Sequence, residues 1–154
     1  MADLHRRAEV SQKSNERYLE ALAAVNHDQP LGETVKELCQ PTEWKGRRVR
    51  ALQPLSPDDS HLLTAVNRGE FSINGFRNRD LRALLHGAAE VAAAELKRQG
   101  ARTTRQIRML RAHGLIRKIS KTHRYTPTSK GRLQINALLA AQQASPQQLA
   151  QLAA

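Results

Sequence analysis

The 154-residue sequence predicts a mainly α fold with a minor β component. Three observations carry that reading. Apolar residues recur at steps of three and four along most of the chain, helix start and stop residues punctuate those stripes, and two short runs near residues 115 and 125 flank a polar turn as a β-hairpin does. The length suffices for one ordinary domain with helical extensions and a real core. The expected division is a helical extension and basic loop over 1–55, a main domain over 56–140, and an Ala/Gln-rich tail over 141–154.

Taken in order, Leu4, Ala8, Ser11, Asn15, Tyr18, Leu22 and Val25 predict a helix from Asp3 to about Val25. Its polar interruptions leave open whether it lies on its own domain or fixes a dimer register. A short helix follows at Leu31 to Cys39, then a loop from Gln40 to Leu55 broken by Pro41, Gly46 and Pro54. Within that loop Trp44, Lys45, Arg47, Arg48 and Arg50 set four positive charges beside the only tryptophan. They form a secondary basic patch that either touches phosphate and stacks on bases or is a core tryptophan among solvated arginines.

Ser56-Pro57-Asp58-Asp59 is a helix start, with a serine cap, a proline where no N–H is needed, and acids at the positive end of the dipole. The helix it opens buries Leu62, Leu63 and Val66 and stops at Gly69. Phe71-Ser72-Ile73 reads as a short strand, Asn74-Gly75 as a turn, and Arg77 to His86 as a helix with Leu81, Leu84 and Leu85 inward.

Ala93, Leu96, Gly100, Thr103, Ile107 and Leu110 then form one unbroken stripe, which predicts a single helix from about Ala88 to His113, with a break at Gly100 left open. On a helical wheel Arg98, Arg102, Arg105 and Met109 fall within about 40° of the direction opposite that stripe, with Gln106 and Arg108 beside them. His113-Gly114 ends the helix. Leu115 to Ile119 is a strand, Ser120 to His123 a turn, and Arg124 to Thr126 the return strand. Thr128-Ser129-Lys130-Gly131 leads into a last helix, and Ser145-Pro146 marks a restart within the tail.

Charge narrows the function. The formal net charge is +11, yet residues 1–95 hold 13 Lys and Arg against all 14 Asp and Glu, while residues 96–154 hold 12 Lys and Arg and no acid. Surface helices ordinarily interleave glutamates, so an acid-free half points to a polyanionic partner. The single cysteine, Cys39, forms no intrachain disulfide, and the six histidines lack metal-ligand spacing. Neither a phosphate-binding Gly-rich loop nor a dinucleotide fingerprint occurs, and the carboxylates are scattered or serve as caps, so no enzyme and no cofactor are expected. No run is long and apolar enough to span a membrane, and the first residues lack a signal peptide's apolar stretch, so the expected location is cytoplasmic, at the nucleoid.

Leu110-Arg111-Ala112-His113-Gly114-Leu115-Ile116, a basic hairpin, then Tyr125-Thr126-Pro127-Thr128 and Gly131 resemble the end of the winged helix-turn-helix domain of MarR-like and ArsR-like regulators. The resemblance covers roughly Pro57 to Ala140, with Phe71 to Ile73 in place of the first strand and Arg77 to His86 in place of the first helix of the pair. It departs from the family in the long link from Gly87 to Arg102 and in Pro127, which replaces an apolar strand residue. It implies a two-stranded β-wing with additional helices at both ends, and a recognition helix in the major groove. Thr104, Arg105, Gln106, Arg108, Met109 and Arg111 match the recognition positions, extended by Arg98 and Arg102. Arginine suits guanine, glutamine adenine, and methionine a thymine methyl. Lys118, Lys121, His123 and Arg124 would be wing contacts to phosphate, with Arg124 alternatively in a narrow minor groove. The expected partner is double-stranded DNA, with structured RNA left open. The chain would act as a regulator, as a homodimer, or as a nucleic-acid-binding subunit of a mobile-element, recombination or defence complex.

Overall fold

Ser56 opens the first helix of the main domain as its residues require: its hydroxyl accepts the Asp59 N–H at 3.2 Å, and Pro57 occupies the first turn. In the computed structural model, which describes residues 30–153, the elements run α1 (Leu31–Leu38), β1 (Thr42–Trp44), β2 (Arg47–Val49), α2 (Pro57–Val66), α3 (Gly69–Asn74), α4 (Asn78–His86), α5 (Ala93–Ala112), β3 (Ile116–Lys118), β4 (Tyr125–Pro127), α6 (Ser129–Gln143) and α7 (Pro146–Ala153). The chain is mainly helical, with two separate two-stranded antiparallel sheets. The helix expected over Asp3 to Val25 lies outside the described residues.

One apolar cluster holds these elements together. Leu62, Leu63 and Val66 of α2, Phe76, Leu81 of α4, Ile107 and Leu110 of α5, Leu115, and Ile135 of α6 are buried in it. Leu38, Val49 and Leu52 belong to the same cluster, so residues 30–55 share the core of the main domain. Far along α6, Gln142 hooks back onto α2: its carbonyl accepts from Ser60 Oγ at 2.8 Å and its amide donates to the Pro54 carbonyl. Ser145 and Gln148 cap α7 reciprocally, Ser145 N–H donating to Gln148 Oε1 at 2.9 Å and Gln148 N–H to Ser145 Oγ at 3.2 Å.

Two sequence expectations give way. The segment Gln40 to Leu55 contains a hairpin rather than only a loop, with Thr42 facing Val49, Glu43 facing Arg48 and Trp44 facing Arg47. Lys45 and Gly46 form its two-residue turn with φ of 51° and 72°, the left-handed geometry that suits hairpin twist. Phe71-Ser72-Ile73 is helical, part of α3. Phe71 is buried, its ring centroid 4.9 Å from that of Phe76, and its carbonyl accepts the Gly75 N–H. Packing overrides the β preference of Phe and Ile. The sheet contact expected there falls to Phe76, which exchanges both backbone hydrogen bonds with Tyr125 at 2.8 Å.

Two glycines make the β3–β4 sheet possible. A Cβ at Gly75, where φ is +67°, would meet the Tyr125 carbonyl oxygen at 2.7 Å, so both conformation and space demand glycine. At Gly131 a Cβ would lie 2.0 Å from the Leu115 carbonyl oxygen. The first turn of α6 rests directly on the chain between α5 and β3. Thr128 fixes that junction: its hydroxyl accepts from Gly131 N–H at 2.8 Å and donates to the Gly114 carbonyl at 2.7 Å, while its N–H reaches the Leu115 carbonyl.

Pro127 pairs with Ile116 in the sheet and is buried. Its neighbour two residues back, Tyr125, directs its N–H away from β3 toward Phe76. Alternation therefore turns the missing N–H of Pro127 toward that same outer edge, where the ladder with β3 does not need it.

Candidate nucleic-acid interface

The α5 helix runs unbroken from Ala93 to Ala112, shorter at its start than the expected 88–113 and uninterrupted at Gly100. Among the described residues a Cβ at Gly100 would come no closer than 3.8 Å to another group, Arg82 Nη1, so no close approach by a described helix explains that glycine. The inward stripe is buried only from its middle onward: Thr103, Ile107 and Leu110 are enclosed, whereas Ala93 and Leu96 are exposed. Thr103 tolerates burial because its hydroxyl donates to the Gln99 carbonyl at 2.9 Å. The C-terminal end closes with Gly114 N–H on the Arg111 carbonyl and Leu115 N–H on the Leu110 carbonyl, the paired bonds of a Schellman cap.

The outer face of α5 is not uniform. Arg105 and Arg108 are exposed and make no hydrogen bond or ion pair among the described residues. Arg98 is open to solvent, 3.9 Å from Glu95, and Arg102 pairs with Asp58 at 2.8 Å. Met109, expected on the exposed side, is instead 2% exposed. The β1–β2 hairpin and the start of α2 both lie beside this part of α5, with Val49 in the core and lining one groove with Met109, and His113 Nε2 3.1 Å from the Arg50 carbonyl oxygen. A wheel that assumes one covered face cannot foresee a second. Gln106 is half-buried, and its Oε1 is enclosed without a hydrogen-bond partner among the described residues.

Arg111 also turns away from solvent. Its guanidinium lies 5.2 Å from the Trp44 ring centroid and 5.7 Å from that of Tyr125, so one cation joins the turn end of the first hairpin to the loop end of the second. Thr104 faces α4, accepting from Asn78 Nδ2 at 3.0 Å and donating to the Gly100 carbonyl at 2.9 Å.

On the β3–β4 hairpin, Lys118, Lys121 and His123 are exposed, Lys121 with a left-handed φ of 59°. Arg124 behaves differently. Its Nη1 donates to the Asn74 carbonyl at 3.2 Å and the Gly75 carbonyl at 3.4 Å, tying the hairpin to the end of α3. Arg117, exposed on β3, adds a cation that sequence reasoning missed; strand alternation sets it on the face opposite Lys118.

The secondary patch divides in the same way. Lys45, Arg47 and Arg48 are exposed and form no ion pair among the described residues. Arg50 is committed: its two terminal nitrogens meet the Asp59 carboxylate at 2.8 and 2.6 Å, and Gln53 N–H adds a third bond at 2.8 Å. Burial alone would push the Asp59 carboxyl up, but the Arg50 guanidinium and the Gln53 N–H outweigh it and hold Asp59 below the usual carboxylate range. The Asp59 hydrogen bond raises Arg50 in turn, against the opposing effect of its own burial.

Two grooves flank α5. One, of 850 Å³, lies between Arg102, Arg105 and Gln106, the start of α2, and Arg48 and Arg50. The other, of 380 Å³, lies between Thr104, Arg108 and Arg111 and the Trp44–Arg47 end of the first hairpin. Arg108 borders both. Among the described residues no group of three His, Cys, Asp or Glu side chains is placed to hold a metal, and no helix is long and apolar enough to cross a membrane. No family model, curated protein or solved structure matches the chain.

Proposed function

We propose that this chain is a non-catalytic, winged-helix-type reader of double-stranded DNA, acting on the nucleoid in the cytoplasm. The supporting observation is the pair Arg105 and Arg108, exposed next to each other on α5 without an ionic partner among the described residues, in a chain that carries no acid after Glu95. Arginine is the side chain best matched to guanine O6 and N7. The order helix, single-residue strand at Phe76, helix, long helix and hairpin supports the winged-helix reading, with α4 and α5 as the helix pair. With Met109 buried and Arg111 drawn onto Trp44, base contact falls to the exposed residues from Arg98 to Arg108, and Met109 and Arg111 serve the fold. Lys118, Lys121 and His123 remain the phosphate contacts of the wing, whereas Arg124 serves to hold it in place.

The test is a competition at rising salt among random duplex DNA, single strands and structured RNA, followed by selection of bound duplexes. For about five to eight neutralised phosphates, log K should fall against log salt with a slope of roughly −4.5 to −7. Replacing Arg105 and Arg108 with alanine should weaken a selected site more than random duplex, while Lys121→Ala weakens both alike. Salt-independent affinity, or a preference for RNA over duplex, overturns the proposal.

A further inference from the structure

We infer that the β1–β2 hairpin is a second phosphate grip, built to hold the backbone of the same DNA duplex beside α5. The inference rests on the proposed duplex binding and adds to it a contact surface outside the helix and the β3–β4 wing. Its first support is the 380 Å³ groove between that hairpin and α5. Lys45, Arg47, Arg108 and Arg111 converge on it, Asn78 and Thr104 add polar groups, and among the described residues no carboxylate lines it. Four cations gathered without an acid repel one another, a cost that a polyanion relieves. The neighbouring 850 Å³ groove differs, because Asp58 and Asp59 answer part of its charge.

The second support is rigidity. A solvated charge run needs no anchor, yet this hairpin has three. Val49 is buried, the Asp59 carboxylate grips Arg50 through both oxygens, and the Arg111 guanidinium covers Trp44. The two-residue Lys45-Gly46 turn leaves little slack at the tip. Lys45, Arg47 and Arg48 are thereby held at a set place relative to Arg105 and Arg108, and the ordering entropy of the backbone is already spent before any ligand arrives. Register divides the tip: Arg47 shares the face of Trp44 and lines the smaller groove, while Arg48 faces the other way, opposite Glu43, and lines the larger. A phosphate backbone passing the tip meets a cation on either side.

The experiment compares the full chain with the variant Lys45→Asn, Arg47→Gln, Arg48→Gln, and with a control losing three cations elsewhere, Lys36→Gln, Arg79→Gln, Lys130→Gln. Random duplex is titrated from low to physiological salt, and fluorescence of Trp44, the only tryptophan, is recorded alongside. The wild type should show a DNA-induced change in Trp44 emission. The hairpin variant should lose up to about 2.7 from the salt slope, three contacts at about 0.9 each, and bind roughly tenfold or more weakly, while the control keeps a slope near wild type. A hairpin variant with the wild-type slope overturns this inference and leaves the function proposal standing. A wild type without salt-dependent duplex affinity overturns both.

Discussion

The two hairpins share three-residue strands and a basic tip, but they are rooted by different physics. The β3–β4 hairpin is held by backbone: the Phe76–Tyr125 exchange, the Thr128 cap, and the close seats at Gly75 and Gly131. The β1–β2 hairpin is held by side chains, namely Val49, the Arg50–Asp59 ion pair and the Trp44–Arg111 contact. In each, one arginine serves the protein, Arg50 at the root of the first and Arg124 beside the loop of the second, while the tip cations make no ion pair among the described residues. Counting charges along a chain therefore overstates what is available to a ligand, and the surplus is the part that anchors.

Three substitutions sharpen the contrast, in decreasing size. Gly131→Ala attacks a backbone root, because its Cβ would lie 2.0 Å from the Leu115 carbonyl oxygen and neither side is a flexible side chain. It should cost about 3 kcal/mol or more of stability in urea unfolding; a loss under about 0.5 kcal/mol would mean the junction relaxes freely.

Asp59→Asn attacks a side-chain root and should cost about 1–2 kcal/mol. The figure is kept low because the Arg50 side chain is 53% exposed and regains water, although Asp59 is only 2% exposed. Since folding lowers the Asp59 pKa, its contribution is full above the unfolded value of about 3.9 and is lost as pH falls through the folded one. Wild type and variant should thus differ by a constant amount near neutrality and converge only in acid. A gap that closes between pH 7 and 5 would assign the stabilisation to another group.

Lys45→Asn tests the tip alone. The residue holds φ 51°, a conformation asparagine accepts more readily than lysine, and it would create the Asn-Gly pair preferred in such turns. A gain of about 0.5 kcal/mol is expected in unfolding followed through Trp44 emission; a loss would show that the lysine side chain itself supports the turn.

The same contrast explains what was legible in sequence. Ser56, Thr128 and the Gly114 helix end were readable because capping is local chemistry, and the long stripe of α5 was readable because burial repeats at helical spacing. The first hairpin was not. Its turn is Lys-Gly rather than Asn-Gly or Asp-Gly, and Thr-Glu-Trp and Arg-Arg-Val are too short and too charged for alternation to stand out. Missing it carried a second error, because that hairpin sets Val49 beside Met109 in one groove and Trp44 under Arg111. Phe71 to Ile73 failed for another reason: apolar, β-favouring residues fit the core from a short helix as well as from a strand.

Pro127 has a consequence for the protein among its own copies. An open sheet edge is a template on which a second molecule can lay a strand, and concentrated solutions exploit it. Here the outer side of β4 offers one exchanged pair at Tyr125, already taken by Phe76, and then a residue with no donor to extend the ladder. This proline thus closes a route to aggregation that a β-branched residue at that position would leave open.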